Sequence, residues 1–434
     1  MDLSKLNYPD VSERLAAAAA LATEIKAGVS PTSEVNNHVH TIYSFSPYSP
    51  TLAAAMAARA GLRAVGIMDH DSVAGCGEMI EAGKALDIAT TCGCEIRVDM
   101  TGTAVEGRKI NNPDSANNIY MAFHGIPATT FKAVAEFLKP INQSRVERDK
   151  KEVEKLNLIL ARASLPPLDF ERDIRAISQA DNGGSITERH ILYALSLKLI
   201  DTFGKGQALI AFVNDKMGID IPAKVQAFLL DPENPHYAYD LLGVFKSAIV
   251  PDMFIQPDAV ECVSVYGAVD FANHIGAIPV YAYLGDVGES PTGDKKAEKF
   301  EDDYLDELIP ELKKIGFKAI TYMPPRNTLA QLQRLQRLCR DNDLMEISGV
   351  DINSSRQAFT CPIIMEPAFQ HLTEATWALI AHEKLAAAHA NYALFSPENP
   401  LADRPLTERL SKYADIGRRI NHRHPENVLD LVSF

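Results

Sequence analysis

Between residues 35 and 98 the chain alternates short apolar runs with helical patterns, and each apolar run carries metal-ligating residue types near its end. Val35–Val39 reads as a strand, followed by a loop rich in Ser and Pro (YSFSPYSP). Thr51 is placed to cap the helix LAAAMAARAG, and Gly61 ends it. LRAVGIMDHD reads as a buried strand with acids at its C-terminal end, Ser72–Leu86 as a second helix, and ATTCGCEIRV as a third strand bearing Glu95. Strand–helix–strand alternation argues for parallel strands joined by helical crossovers. Folds of that kind bind ligands at the C-terminal ends of their strands.

The motif NNHVHT sharpens the expectation. Residues i and i+2 of a strand point to one face, so His38 and His40 present two imidazoles side by side. Collecting strand ends along the chain gives His38, His40, Asp69, His70, Glu95 and His124, then Asp351 with Asn353. Nitrogen and carboxylate ligands in this mix suit zinc, manganese or iron. Two ions about 4 Å apart could be bridged by Glu95, activate a water and neutralise a phosphoryl oxygen. A plainer role is open for Asp69, which could cap the helix that begins near Ser72.

The middle of the chain has a different rhythm. Residues 130–230 are mostly helical by period, with FKAVAEFLKPINQSRVERDKKEVEKLNLILARASL carrying apolar residues three to four apart. This divides the chain into an N-terminal helix (1–30), a first barrel part (31–130), a helical insertion that could form a lid (131–250), a second barrel part (251–365) and a helical tail (366–434). Arg145 and Arg148 lie three apart on one face of the insertion helix, where a planar guanidinium suits phosphate. The alternative is the solvated face of a charged helix. His190, in ERHILYAL, is placed to hydrogen-bond phosphate or protonate a leaving group, or to serve as a structural histidine. Arg326 is a further candidate, while His274, His382 and His389 lie away from strand ends and read as structural.

Composition excludes several classes. A net charge of −14 over 434 residues disfavours broad binding to long nucleic acid, though it allows one phosphate end to enter a local basic pocket. No run of about 18 uninterrupted apolar residues occurs, so no membrane span is expected. LAAAAALATEI reads as a surface helix, not a signal peptide. The six cysteines form no CxxC pair, as expected of reduced thiols in a cytoplasmic protein.

NNHVHTIYS, GLRAVGIMDHDSVAG and GCEI resemble the first three motifs of the PHP (polymerase and histidinol phosphatase) superfamily, with IPVYAYLGD and ISGVDINSS in the places of later motifs. RVERDKKEVEKLN, ITERHILYAL and PHYAYD resemble elements of the branch that hydrolyses nucleoside 3′,5′-bisphosphates and trims short RNA from the 5′ end. The resemblance covers roughly residues 35–360. It implies a distorted seven-stranded (β/α)7 TIM-like barrel with a helical insertion, and metals in a cleft at the strand C-termini. Carried over, His38, His40, Glu95 and Asp351 would hold a first ion. Glu95 would share a second with later histidines, and His70, with Asp69 beside it, would sit at or behind a third. The chain departs from the pattern at Tyr283-Leu284, where the family has His-Pro, and at Asn353, where it has His. Phe45 and Ser46 stand where a ligand is expected, and Tyr120 or His124 fills the fourth motif. One or two divalent ions per chain are therefore expected. The activity implied is hydrolysis of a small phosphomonoester or a nucleotide-end phosphate. The alternatives are a metal-dependent hydrolase of a non-phosphate substrate and a catalytically weak metal-binding protein. The oligomeric state is not encoded in any motif.

Overall fold

The computed structural model describes residues 2–112, 115–286 and 299–432. Its sheet contains β1 (Val35–Val39), β2 (Ala64–His70), β3 (Ala89–Asp99), β4 (Asn118–His124), β5 (Val263–Ser264), β6 (Ile278–Ala282), β7 (Ala319–Tyr322) and β8 (Met345–Ser348). The order is β1-β2-β3-β4-β6-β7-β8, with β5 beside the end of β3. All neighbours are parallel except β4, which runs antiparallel to both β3 and β6. The strands are buried almost throughout, as strands covered by helices must be.

The sheet curls until its ends nearly meet. Val39 bridges Ile352 just beyond β8, His40 N donates to Ile352 O at 2.9 Å, and Ile352 N donates to His38 O at 3.1 Å. Two asparagine side chains finish the seam, Asn36 Nδ2 to Val350 O at 3.0 Å and Asn37 Nδ2 to Ser348 O at 2.9 Å. The result is the TIM-like barrel that the family resemblance implies, with the parallel strands expected from the alternation. The register between β1 and β2 slips here: Asn36–Val39 advances three residues while Val65–Ile67 advances two. Such a bulge re-aims side chains next to a site.

Local signals fall close to expectation, with shifts. The first crossover helix is Pro50–Arg59, and its cap is Ser49, which accepts from Leu52 N at 3.0 Å. Thr51, the expected cap, lies inside the first turn and gives its hydroxyl to Glu78 Oε1 at 2.7 Å. The next helix begins at Cys76, not Ser72. The N-terminal helix Val11–Lys26 packs on the barrel, where Arg14 Nε donates to the buried Glu78 at 2.9 Å. The tail helix Gln370–Ala388 is apolar nearly all round and buried against the barrel, with Glu383 Oε2 accepting from Cys92 N at 2.6 Å.

The middle helices build their own core. Phe131–Arg162, Glu188–Phe203, Gln207–Asp215 and Tyr237–Met253 enclose Leu156, Leu160, Leu195, Leu241 and Phe245, a cluster separate from the barrel core. Phe45, from the loop after β1, is a barrel residue that reaches into it. All six cysteines are buried and free. Among the described residues no helix is long and apolar enough to cross a membrane.

Candidate metal centre

The C-terminal ends of β1 and β2, the middle of β3 and the segment after β8 bring five ligand-type side chains together. His38 Nε2 lies 3.2 Å from His40 Nε2, and His40 Nε2 lies 3.2 Å from Asp351 Oδ1. His70 Nδ1 lies 3.2 Å from Glu95 Oε2, and His38 Nε2 is 3.9 Å from the same oxygen. Two overlapping triads result, His38–His40–Asp351 and His40–His70–Glu95, with ligand atoms in each within 4.8 Å of one another. Atoms about 2.1 Å from a common ion at tetrahedral angles lie about 3.4 Å apart, so these spacings fit a metal.

Electrostatics agree. Burial, with His40 alongside, lowers the His38 imidazole to about 4, and burial holds His70 well below its usual value. Both therefore present neutral nitrogens at pH 7. Burial also opposes charge on His40, but the Asp351 carboxylate beside it raises its pKa. Asp351 is in turn held below the usual carboxylate range, because His40 outweighs its burial. Burial pushes the Glu95 carboxyl up to about 7. A carboxyl that close to neutrality, facing imidazoles, is one that a cation would stabilise in its ionised form.

The remaining residues expected at the site stand outside the two triads. Asp69 pairs in register with Cys94, while His70 pairs with Glu95, so Asp69 faces away from the cluster. It accepts from Thr41 N at 2.6 Å, Thr41 Oγ1 at 2.6 Å and Ser44 Oγ at 2.7 Å, and Ser44 Oγ reaches His40 Nδ1 at 3.4 Å. Asp69 thus holds the loop behind His40 and offers no free oxygen to an ion. It does not cap the following helix either. His124 ends the antiparallel β4, opposite Gly93, and so lies below the cluster with its Nε2 buried and without a partner. Asn353 donates Nδ2 to Asp351 Oδ1 at 2.7 Å and accepts Arg189 NH1 at 2.7 Å, so it steers Asp351 with both ends of its amide engaged. His190 packs edge-on against Phe45 and accepts from Thr187 N at 3.1 Å, capping its own helix. It is buried away from the cavity wall, and burial lowers it to about 3.

A cavity of about 230 Å³ opens beside the cluster, lined by His38, His70, Glu95 and Asp351. Its cationic wall holds Arg97, Arg145 and Arg189, and an apolar wall holds Leu192, Val250, Phe254 and Leu284. Arg145 and Arg148 are not on a solvated face; both are buried. Arg145 NH2 pairs with Asp71 at 2.5 Å, and Arg148 Nε pairs with Glu261 at 2.7 Å. Asp71 adopts a left-handed backbone (φ 49°), a costly geometry for a non-glycine residue that aims its carboxylate at the insertion. Arg326 gives Nε to Leu284 O at 3.0 Å.

Sequence reasoning passed over Arg97, Glu188 and Arg189. Arg97 lies two residues beyond Glu95 on β3, hence on the same face, and that spacing was the available signal. Its NH1 meets Glu261 and its NH2 meets Glu188, each at 3.2 Å. At the fourth motif the cavity is lined by Tyr120, not His124. Burial raises the Tyr120 phenol above its usual value.

The PHP domain family matches residues 36–210. No curated protein matches the sequence significantly. Among solved structures, a Bifidobacterium adolescentis protein described provisionally as a metal-dependent phosphoesterase aligns at 19% identity and a TM-score of 0.48, covering 76% of this chain and 91% of that one. An amidohydrolase from Chromobacterium violaceum, with bound sulfate and no metal, aligns at 18% identity and a TM-score of 0.47, covering 78% and 95%.

Proposed function

We propose that this chain is a metal-dependent phosphoesterase acting on a small phosphomonoester or a nucleotide-end phosphate, a reading that the PHP-domain match over residues 36–210 supports. One observation carries the reading: a metal-ligand cluster and three arginines line the same small cavity. A divalent ion in the cluster supplies Lewis-acid charge and lowers the pKa of water in its shell. His38, His40, Asp351, Glu95 and His70 would hold one or two such ions, and their donor set suits zinc, manganese or iron. Asn353 fixes the Asp351 carboxylate, and Asp69, through Ser44, fixes the His40 ring. Arg145 and Arg189 draw the phosphoryl oxygens towards the cluster and hold them there. Leu192, Val250 and Phe254 shield the opposite side from water and accept the apolar part of the substrate. The six buried free thiols suit a cytoplasmic protein.

A second reading has its own support. Arg97 and Arg145 are already paired with Glu188, Glu261 and Asp71, which mutes their charge. That favours a less highly charged substrate and hydrolysis of a non-phosphate bond. Elemental analysis of the purified protein, with a phosphate-release screen on nucleoside bisphosphates and simple phosphomonoesters, separates the two. The expected result is one or two ions per chain and release of phosphate. Bound metal with no release, after manganese is added back, would exclude the phosphoesterase and favour the second reading.

A further inference from the structure

Two tyrosines reach the cavity at places where the sequence resemblance calls for histidine ligands, and their hydroxyls are in opposite states. Tyr283 Oη donates to Asp302 Oδ1 at 2.7 Å, so its proton is committed. Tyr120 Oη instead accepts from Arg97 Nε at 3.1 Å. That contact uses an oxygen lone pair and leaves the O–H proton for another acceptor. Tyr120 is half-buried, lines the cavity with His70 and Glu95, and its ring centroid is 5.9 Å from that of His70. In register it faces Arg97, one step along β3 from Glu95 on the same face. Arg97 is itself anchored by Glu261 and Glu188, so the direction of its Nε–H, and with it the phenol, is fixed.

We propose that Tyr120 is a catalytic residue whose hydroxyl binds the leaving-group oxygen and hands it a proton as the ester bond breaks. The proposal rests on the phosphoesterase reading above. The oxygen of a water forms a bond to phosphorus, and the electron pair of the breaking P–O bond passes to the ester oxygen. The Tyr120 proton moves to that oxygen, giving a neutral alcohol. The proton lost by the attacking water returns through solvent to the tyrosinate, so ester and water yield alcohol and phosphate with nothing left over. Arg97 acts as a positioning residue: it orients the phenol and stabilises the brief tyrosinate.

Tyr120→Phe removes the hydroxyl and keeps the ring. On full-length, manganese-loaded protein, kcat is measured with phenyl phosphate, a poor leaving group, and 4-nitrophenyl phosphate, which leaves with little need of a proton. General-acid catalysis predicts a loss of about 100-fold or more on phenyl phosphate and less than about fivefold on 4-nitrophenyl phosphate. Metal content by mass spectrometry and the calorimetric Kd for inorganic phosphate should match wild type. Equal losses on both esters, or no loss, would overturn the assignment. So would loss of metal, which would make Tyr120 a ligand. A wild-type protein that hydrolyses neither ester fails earlier and removes the phosphoesterase reading together with this one.

Discussion

Removing the Asp69 side chain separates two roles that its sequence position leaves open. As a metal ligand, Asp69→Ala would strip the ion and spare the fold. The structure predicts the reverse emphasis. The carboxylate is buried and accepts three hydrogen bonds, two from Thr41 and one from Ser44. Three charge-assisted bonds at about 1.5 kcal/mol each come to about 4.5 kcal/mol. Burial has raised the Asp69 pKa, so deleting the group returns part of a desolvation cost and leaves a net loss of about 3 kcal/mol. That is a large fraction of a typical folding free energy of about 5–15 kcal/mol. Because Ser44 also touches His40, freeing the loop loosens one ligand, and metal affinity should fall about 10–100-fold without vanishing. Asp69→Asn keeps an acceptor for the main-chain Thr41 N–H while both hydroxyls can rotate, so it should cost far less. Urea melts and calorimetric titration of manganese measure both quantities. Unchanged stability of Asp69→Ala with complete loss of metal would refute this reasoning and make Asp69 a ligand.

Other outcomes follow from the same geometry. His40→Ala combined with Glu95→Ala should abolish both metal content and turnover, and metal retained at wild-type stoichiometry would show that the ion sits elsewhere. Arg145→Ala strands the buried Asp71 carboxylate and should destabilise by about 3–5 kcal/mol, with the Arg145→Ala/Asp71→Ala double variant recovering much of it; strictly additive melts would deny the pair its coupling. Metal affinity should fall as pH drops from 8 to 6. Ions bind deprotonated ligands, while Glu95, at about 7, takes up its proton over that range, and the raised His40 acts in the same direction; a flat titration would contradict the Glu95 shift.

The parallel strands and the pairing of His38 with His40 could be read from local periods, while closure into a barrel and the joining of Glu95 and Asp351 to that pair at one ion came only from the family resemblance. His38 and His40 share a face by the two-residue repeat of a strand, and strand–helix alternation implies parallel strands with usable ends. The same repeat could have excluded Asp69, since His70 next to it must face the other way. His124 misled for another reason. Nothing within Asn118–His124 reveals that this strand runs antiparallel, which sets its last residue opposite Gly93, two residues below Glu95. His190 fills the third position of its helix, where Glu or Gln is the familiar capping partner, so its bond to Thr187 left no recognisable mark. Arg148 has a partner at i+4, Glu152, that helix spacing could have shown, but Asp71 and Glu261 are remote in sequence and meet Arg145 and Arg148 only after the insertion docks.

The seam between β1 and the residues after β8 has a temporal consequence. His40 and Asp351 are separated by most of the barrel in sequence, yet they meet at 3.2 Å across that seam. A chain emerging from the ribosome therefore displays His38, His40, His70 and Glu95 long before Asp351 is made. The His38–His40–Asp351 triad is complete only when the segment after β8 has been made. Capture of an ion would then reward the final and most non-local pairing of the fold, so metal supply could govern how quickly nascent chains become whole.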